Sequence, residues 1–180
     1  MTTEEALLSR AQQFESHVLA EIYDCYSPGI YRYALRLLGN TDLAEDCVAE
    51  TFSRFLVTLR DGRGPKQHLQ AYLYRIAHNW VTDQYRRVPA TFPLESSVQA
   101  DSAPTPLQQI LRRADEEQVR HALFCLTPEQ RQVVVLKFLE DWTNEEVALA
   151  LGKPVGAVKA LQHRALAALQ RMLVSDEYGR

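Results

Sequence analysis

The sequence contains no apolar run approaching the roughly 18 residues that a membrane span needs. Its first residues, Met1-Thr2-Thr3-Glu4-Glu5, lack the basic-then-apolar outline of a signal peptide. No membrane insertion and a cytoplasmic location are therefore expected. Cysteine is scarce: Cys25, Cys47 and Cys125 lie far apart with no C-x-x-C pair, which gives no sign of a disulfide framework or a zinc site. Each sits among apolar helical positions, where a free thiol behaves as a small hydrophobe. H-E-x-x-H, a Gly-rich phosphate loop and a recognisable Ser, His and Asp set are all missing, and the five histidines are scattered. No catalytic residue, metal or cofactor is expected. A net charge of −3 argues against a protein that coats nucleic acid indiscriminately. Any DNA binding must come from local basic faces, or from help by a partner.

Two absences are local. Between Glu146 and Asp176 there is no acidic residue, while Lys153, Lys159, Arg164 and Arg171 are all basic. Between Val88 and Gln109 there is no Lys or Arg, while Pro89, Pro93, Pro104 and Pro106 stand among serines, Glu95 and Asp101. The second stretch reads as a flexible acidic linker that divides the chain into residues 1–87 and 110–180, with 88–109 between them. Convincing strand alternation is absent as well, and helical period runs through almost every other segment. The expected fold class is all-α, two small helical domains joined by that linker, the C-terminal one a helix-turn-helix. A hydrophobic content of 46% is enough to build their cores.

Thr143 with Glu146 forms a capping box that opens a short helix. Gly152 and Pro154 end it. A second helix from about Val155 to Leu173 turns Val158, Leu161, Ala165, Leu169 and Met172 to one face and Lys159, Gln162, His163 and Arg164 to the other. Two helices and a tight turn, the second helix long and basic, are the outline of a helix-turn-helix. Such a helix fits the DNA major groove, and its long donors reach phosphates and base edges. A helical hairpin with a merely solvated polar face shares this outline.

Earlier in the chain, Leu7, Leu8, Phe14, Val18, Ile22 and Tyr26 describe an amphipathic helix interrupted near Ala11. Ser27-Pro28 reads as a fresh helix start, running to about Leu38 before Gly39-Asn40. Asp42 with Glu45 reads as a capping box for a third helix to about Leu59, with Leu43, Cys47 or Val48, Phe52, Phe55 and Leu59 inward. Its outward stripe is Glu45, Asp46 and Glu50, with Arg54 one turn after Glu50. A solvated face with a Glu–Arg pair and a docking face both fit that stripe.

The Gly/Pro-rich segment Arg60 to Lys66, with Arg63 inside it, is a basic loop. The helix from about Gln67 to Arg87 turns Leu69, Leu73, Ile76 or Ala77, Trp80 and Val81 to the core. Arg75, His78, Asn79, Thr82, Arg86 and Arg87 fall on exposed or flanking surfaces, interleaved with Tyr72, Tyr74 and Tyr85. Basic residues among aromatics suit single-stranded nucleic acid, as bases stack on rings and cations track phosphates. Beyond the linker, helix resumes near Leu107 and runs to about Cys125. Thr127-Pro128-Glu129-Gln130 is a further capping box, opening a helix to Leu139.

Asp42-Leu-Ala-Glu-Asp46-Cys-Val-Ala-Glu50-Thr-Phe-Ser-Arg54, the run Ala71-Tyr-Leu-Tyr-Arg75-Ile-Ala-His78-Asn79 through Asp83-Gln-Tyr85-Arg86-Arg87, and Leu126-Thr-Pro-Glu-Gln-Arg131 through Arg164-Ala165 occur here in order. Together they make the chain, from about Phe14 to Leu173, resemble a bacterial RNA polymerase sigma factor of the extracytoplasmic-function group. The resemblance implies a promoter-specificity subunit with the family's second and fourth regions, whose partners are core RNA polymerase, promoter DNA and an anti-sigma factor. It implies that Asp46, Glu50 and Arg54 dock on core polymerase. It places Arg60, Arg63, Lys66, Arg75, Asn79, Trp80, Asp83, Arg86 and Arg87 at the minus-ten element, which this part opens. Lys153, Lys159, Gln162, His163 and Arg164 fall at the minus-thirty-five element. The acidic linker would pass through the polymerase channel, imitating a polyanion. The chain departs from the family at Ala157, Ala160 and Leu161, where Thr, Ser and Arg are common, and at Ala49, where Gln is usual. A stand-alone helix-turn-helix regulator of duplex DNA is the alternative reading; a helical enzyme is the weakest.

Overall fold

The computed structural model describes residues 3–87 and 117–177. The expected linker at 88–109 and the helix start near Leu107 lie outside the described residues. Those described form helices and connecting turns with no strand among them. Helix α1 (Thr3–Gln12) is followed by α2 (Ser16–Leu38), α3 (Thr41–Arg60) and α4 (Leu69–Arg87). After the undescribed segment come α5 (117–125), α6 (Pro128–Val134) continued by one π-helical turn (Val135–Leu139), α7 (Asn144–Leu151) and α8 (Val155–Glu177).

In the N-terminal unit α2, α3 and α4 pack on one another with α1 across them. The inward stripe of α3 comprises Ala44, Cys47, Val48, Thr51, Phe52, Phe55 and Leu59, so both alternatives at positions 47 and 48 are buried. Burial pushes the Cys47 thiol up to about 12, which makes it a packing group at neutral pH. On α4 the buried set is Leu69, Ala71, Leu73, Tyr74, Ala77 and Val81. Trp80 and Ile76 pack against the same core from its edge.

Two expected helix starts are corrected. Ser27-Pro28 does not begin a helix: α2 runs through it, with Pro28 inside. A proline there forfeits one backbone bond and strains the preceding turn, at about 3 kcal/mol. Burial on both sides of it, by Val18 and Ile22 and then by Ile30, Tyr33, Ala34 and Leu37, outweighs that. The neighbouring Gly29 is required by close approach, because a Cβ there would stand 2.6 Å from the Tyr74 hydroxyl of α4. The break in the first helical stretch falls slightly later than Ala11, at Phe14, whose φ is 56°. At α3 the cap is Asn40, whose side chain accepts from the Leu43 N–H at 2.8 Å, so Asp42 lies inside the first turn instead of capping it.

The start of α4 is capped from a distance. His68 has a φ of 56°, and the Glu4 carboxylate of α1 accepts from the backbone N–H of His68 (3.2 Å) and of Leu69 (2.8 Å). A carboxylate at that end also meets the positive pole of the helix.

In the C-terminal unit both expected capping boxes are present, Thr127 with Gln130 and Thr143 with Glu146. Gly152 ends α7 with a φ of 63°. Val158, Leu161 and Ala165 are buried as expected. Leu169 and Met172 join a smaller cluster with Leu123, Leu126 and Val134.

The two units are in contact, chiefly through α4 and α7. Trp142 packs on Tyr74 with ring centroids 4.6 Å apart. Gln132 donates to the Thr82 hydroxyl at 3.2 Å. Arg75 donates to the Leu149 carbonyl and lies against Gly152. His78, expected on an exposed or flanking surface, is mostly buried there, and its Nδ1 has no hydrogen-bond partner. Helical period placed it outside the first unit's core, but the second unit covers that face.

Burial, then the charge of Lys153, hold the His78 imidazole down at about 4, with Glu129 opposing and Arg75 adding to the effect. The unfolded chain therefore takes up a proton on His78 near its ordinary 6.5 while the folded chain does not. Folding stability should fall as pH drops from about 6.5 to 4, by an amount of order 3 kcal/mol for this one group. Denaturant titrations of the wild type and His78→Gln across that range should diverge, the variant losing less, because carboxylate contributions cancel in the comparison. Glu4→Ala should lower stability by about 1 kcal/mol through loss of the α4 cap. In thermal unfolding followed by circular dichroism that is a Tm lower by ~2–4 °C.

Candidate nucleic-acid interface

Three surfaces carry the candidate residues. On α3, Asp46 and Arg54 are exposed and Glu50 is partly so, all on the face opposite the core. Arg54 donates through Nε to Glu50 at 2.6 Å, the expected pair one turn apart. Two large apolar side chains that the sequence pattern did not single out, Leu56 and Val57, are exposed further along this helix. An acidic stripe grading into an apolar end is suited to a protein partner.

Between α3 and α4, Arg60, Arg63 and Lys66 are all exposed. The loop is less uniformly basic than its composition, because Asp61 pairs with Arg63 at 2.7 Å and with Arg60 at 3.8 Å. Its shape has a local cause: Gly64 passes so close to Leu59 that a Cβ would meet the Leu59 Cδ2 at 2.6 Å, and Pro65 is buried.

Helix α4 continues this surface. Asn79, Arg86 and Arg87 are exposed, Asp83 stands 3.7 Å from Arg86, and Trp80 is half-buried with one side on the core. Arg75 belongs to the same helix but is turned to the second unit through the Leu149 carbonyl. The structure thus brings together Asn79, Trp80, Asp83, Arg86 and Arg87, and separates Arg75 from them by engagement.

The third surface is α8. Lys159 and His163 lie one turn apart and are exposed, as is Arg164, while Gln162 is half-buried. Leu161 is buried, so the departure at that position serves the core, whereas Ala160 leaves a smooth spot beside Lys159. Lys153, at the turn, is held by Glu129 of α6 at 2.7 Å. That hydrogen bond draws the Glu129 carboxyl below its usual range. Lys153 therefore braces the turn and offers less free charge than Lys159.

Arg131, which is not among the candidate residues, points its side chain inward. It is 2% exposed. Its guanidinium donates to the carbonyls of Leu123 (2.8 Å), Phe124 (2.9 Å) and Leu126 (3.3 Å), and across the units to the Leu37 carbonyl (3.1 Å) and the Tyr85 hydroxyl (3.3 Å). It also lies over the Phe124 ring at 4.3 Å. Among the described residues no group of His, Cys, Asp or Glu could hold a metal ion, and no helix is long and apolar enough to cross a membrane.

Comparison with known proteins finds matches to both halves of the chain. Residues 22–89 match the model for sigma-70 region 2, and residues 116–169 match that for sigma-70, region 4. The chain is 31% identical over 173 residues to the ECF RNA polymerase sigma factor BldN of Streptomyces coelicolor, an alignment covering 94% of this chain and 66%, about two thirds, of BldN. It is 28% identical to the ECF RNA polymerase sigma factor SigW of Bacillus subtilis, covering 92% of this chain and 94% of SigW. Among solved structures, CnrH in complex with the cytosolic domain of CnrY superposes with a TM-score of 0.74 at 23% identity, over 96% of this chain and 97% of that one. The sigma factor RpoE of Bartonella quintana, in complex with the anti-sigma factor NepR, gives 0.64 at 23% identity, over 92% of this chain and 99% of that one. The helical order, the outward basic face of α8 and these matches over both halves place the chain in the sigma-70 family of RNA polymerase sigma factors, in its extracytoplasmic-function group.

Proposed function

We propose the following division of labour for this promoter-specificity subunit of RNA polymerase. Asp46, Glu50 and Arg54 dock the outer face of α3 on the core enzyme. The loop with Arg60, Arg63 and Lys66, and α4 with Arg75, Asn79, Trp80, Asp83, Arg86 and Arg87, engage the minus-ten element and hold it open. Lys153, Lys159, Gln162, His163 and Arg164 engage the minus-thirty-five element, and the chain acts in the cytoplasm without a catalytic step of its own.

The observation that carries this reading is that α8 turns Lys159, His163 and Arg164 to solvent while Val158, Leu161 and Ala165 hold the helix on its unit. Those three donors have no packing duty, and a helix presenting them fits a major groove. At the minus-ten surface, a half-buried Trp80 beside exposed Asn79, Arg86 and Arg87 supplies a ring edge and cations for unpaired bases and phosphates. Unstacking a base costs a few kcal/mol and stacking it on protein returns about 1–3 kcal/mol, so opening proceeds without a fuel molecule. An anti-sigma partner fits the same two-unit layout as RpoE, which is held by NepR.

Run-off transcription with purified core polymerase on a library of promoter fragments tests the reading. Discrete start sites that require the chain are expected. Binding of the chain alone to a palindromic duplex, without stimulation of polymerase, would instead make it a stand-alone regulator. Glu50→Lys should weaken core binding about tenfold or more. It should leave the fold intact, since the exposed Glu50–Arg54 pair is worth a few tenths of a kcal/mol. Retention of full core affinity would remove α3 as the docking helix. Lys159→Ala should reduce the slope of log affinity against log salt for promoter binding by about 0.9 if it meets a phosphate. An unchanged slope would take Lys159 out of the interface.

A further inference from the structure

Helix α1 lies ahead of residues 22–89, the part matched to sigma-70 region 2, and is fixed to the N-terminal core by Leu8 and Ala11, both buried. Its first turn reaches the C-terminal end of the basic loop. Glu4 accepts from the backbone N–H of His68 at 3.2 Å and of Leu69 at 2.8 Å, one carboxylate oxygen to each, and Glu5 accepts from the Gln67 side-chain amide at 3.1 Å. Three consecutive residues, where the loop passes into α4, are thus held by one turn of another helix.

The backbone there needs holding. His68 stands where a helix cap belongs, its carbonyl accepting from the Tyr72 N–H at 2.9 Å. An ordinary cap is extended and satisfies the first N–H groups with its own side chain. His68 instead has a φ of 56°. Left-handed backbone is disfavoured about tenfold at a residue that has a Cβ, and it persists only where the surroundings over-determine it. The Glu4 carboxylate supplies that constraint, and it meets the positive end of α4 besides. The other end of the loop is set by its own neighbours, through the Arg63 N–H on the Thr58 carbonyl at 2.9 Å and the close approach of Gly64 to Leu59. With both ends set, the exposed Arg60, Arg63 and Lys66 follow one course.

We propose that α1 braces the loop that faces promoter DNA, and that Glu4 is a positioning residue for reading the minus-ten element. It touches no base and acts by holding His68 in its left-handed conformation. The inference rests on the reading that this loop engages the minus-ten element.

Run-off transcription with the full chain and core polymerase, on promoters with an intact or a singly substituted minus-ten element, gives selectivity as a ratio from which the folded fraction cancels. Glu4→Ala should lower that ratio several-fold and leave unchanged the matching ratio for substitutions in the minus-thirty-five element. A loss of stability alone would move neither. Glu4→Gln, with one acceptor oxygen in place of two, should fall between. His68→Gly, which adopts a φ of 56° without strain, should restore much of the ratio in the Glu4→Ala background. Hydrogen exchange of the full chain without DNA should quicken several-fold at the amides of His68 and Leu69 in Glu4→Ala, while Ala77, buried in the middle of α4, keeps its protection. Full minus-ten selectivity in Glu4→Ala, alongside a loss in Arg63→Ala, would overturn the brace and leave the loop at the minus-ten element. Full selectivity in both variants would overturn the loop reading and the brace with it. An equal loss of selectivity at both elements would make the effect of Glu4 general and overturn its assignment to this loop. No gain from His68→Gly would remove residue 68 as the link.

Discussion

A buried guanidinium demands acceptors for its donors, and Arg131 ties the two units to each other through that demand. Its Nε and Nη2 satisfy the carbonyls of Leu123, Phe124 and Leu126 at the end of α5, tying that end to the start of α6. The remaining nitrogen reaches out of its own unit to the Leu37 carbonyl and the Tyr85 hydroxyl. Tyr85 in turn donates to Leu37 at 2.7 Å, so the C-terminal carbonyl of α2 is shared by a residue of α4 and one of α6. These acceptors are neutral, which makes removal of any one of them costly for a charge that cannot leave the interior. Helix ends that would otherwise carry orphan carbonyls are completed by the same side chain.

Helix α4 shows why one element can serve three purposes. Leu69, Leu73, Ala77 and Val81 repeat every fourth residue and pin it to the first core. On the next face round, Tyr74, Arg75, His78 and Thr82 meet the second unit. Asn79, Arg86 and Arg87 are left facing solvent, with Asp83 and the edge of Trp80 partly so, and these are the residues open to the proposed nucleic-acid contact.

How much of this is legible in the sequence depends on how local each cause is. The boxes at Thr127 and Thr143 were readable because cap, helix and partner lie within four residues, and no distant contact competes. Gly152 was readable for the same reason. Ser27-Pro28 carries an equally good local signal and fails, because apolar residues on both sides of it are buried by α3 and α4 and keep α2 continuous. Asp42 loses to Asn40 by two positions, within the reach of the same short side-chain chemistry. The cap of α4 by Glu4 joins residues more than sixty positions apart, and nothing in a periodic pattern announces it. His78 and Arg75 were placed on outer surfaces correctly for a lone domain; only the presence of a second unit turns that surface into an interior. The exposure of the charged stripes on α3 and α8 is legible because charge at helical spacing is a local pattern. Leu56 and Val57 were missed because exposed apolar residues look like core until the core is seen to be full.

The contact between the units is apolar at its centre and polar at its edge. Leu136, Trp142, Val147 and Leu151 of the C-terminal unit belong to the same buried cluster as Leu37, Leu73, Tyr74 and Ala77 of the N-terminal one, so one core runs through both. Around it stand the polar bonds: Arg75 to Leu149, Gln132 to Thr82, Arg131 to Leu37 and Tyr85, and Arg32 and Arg36 to Glu140. Each of these contributes only about 1 kcal/mol net, because water offers the same groups a replacement. Apolar surface buried between the units contributes at ~25 cal/mol per Å² and has no such replacement. Shared burial therefore does most to hold the units together, while the polar bonds, which are directional, fix how they are oriented.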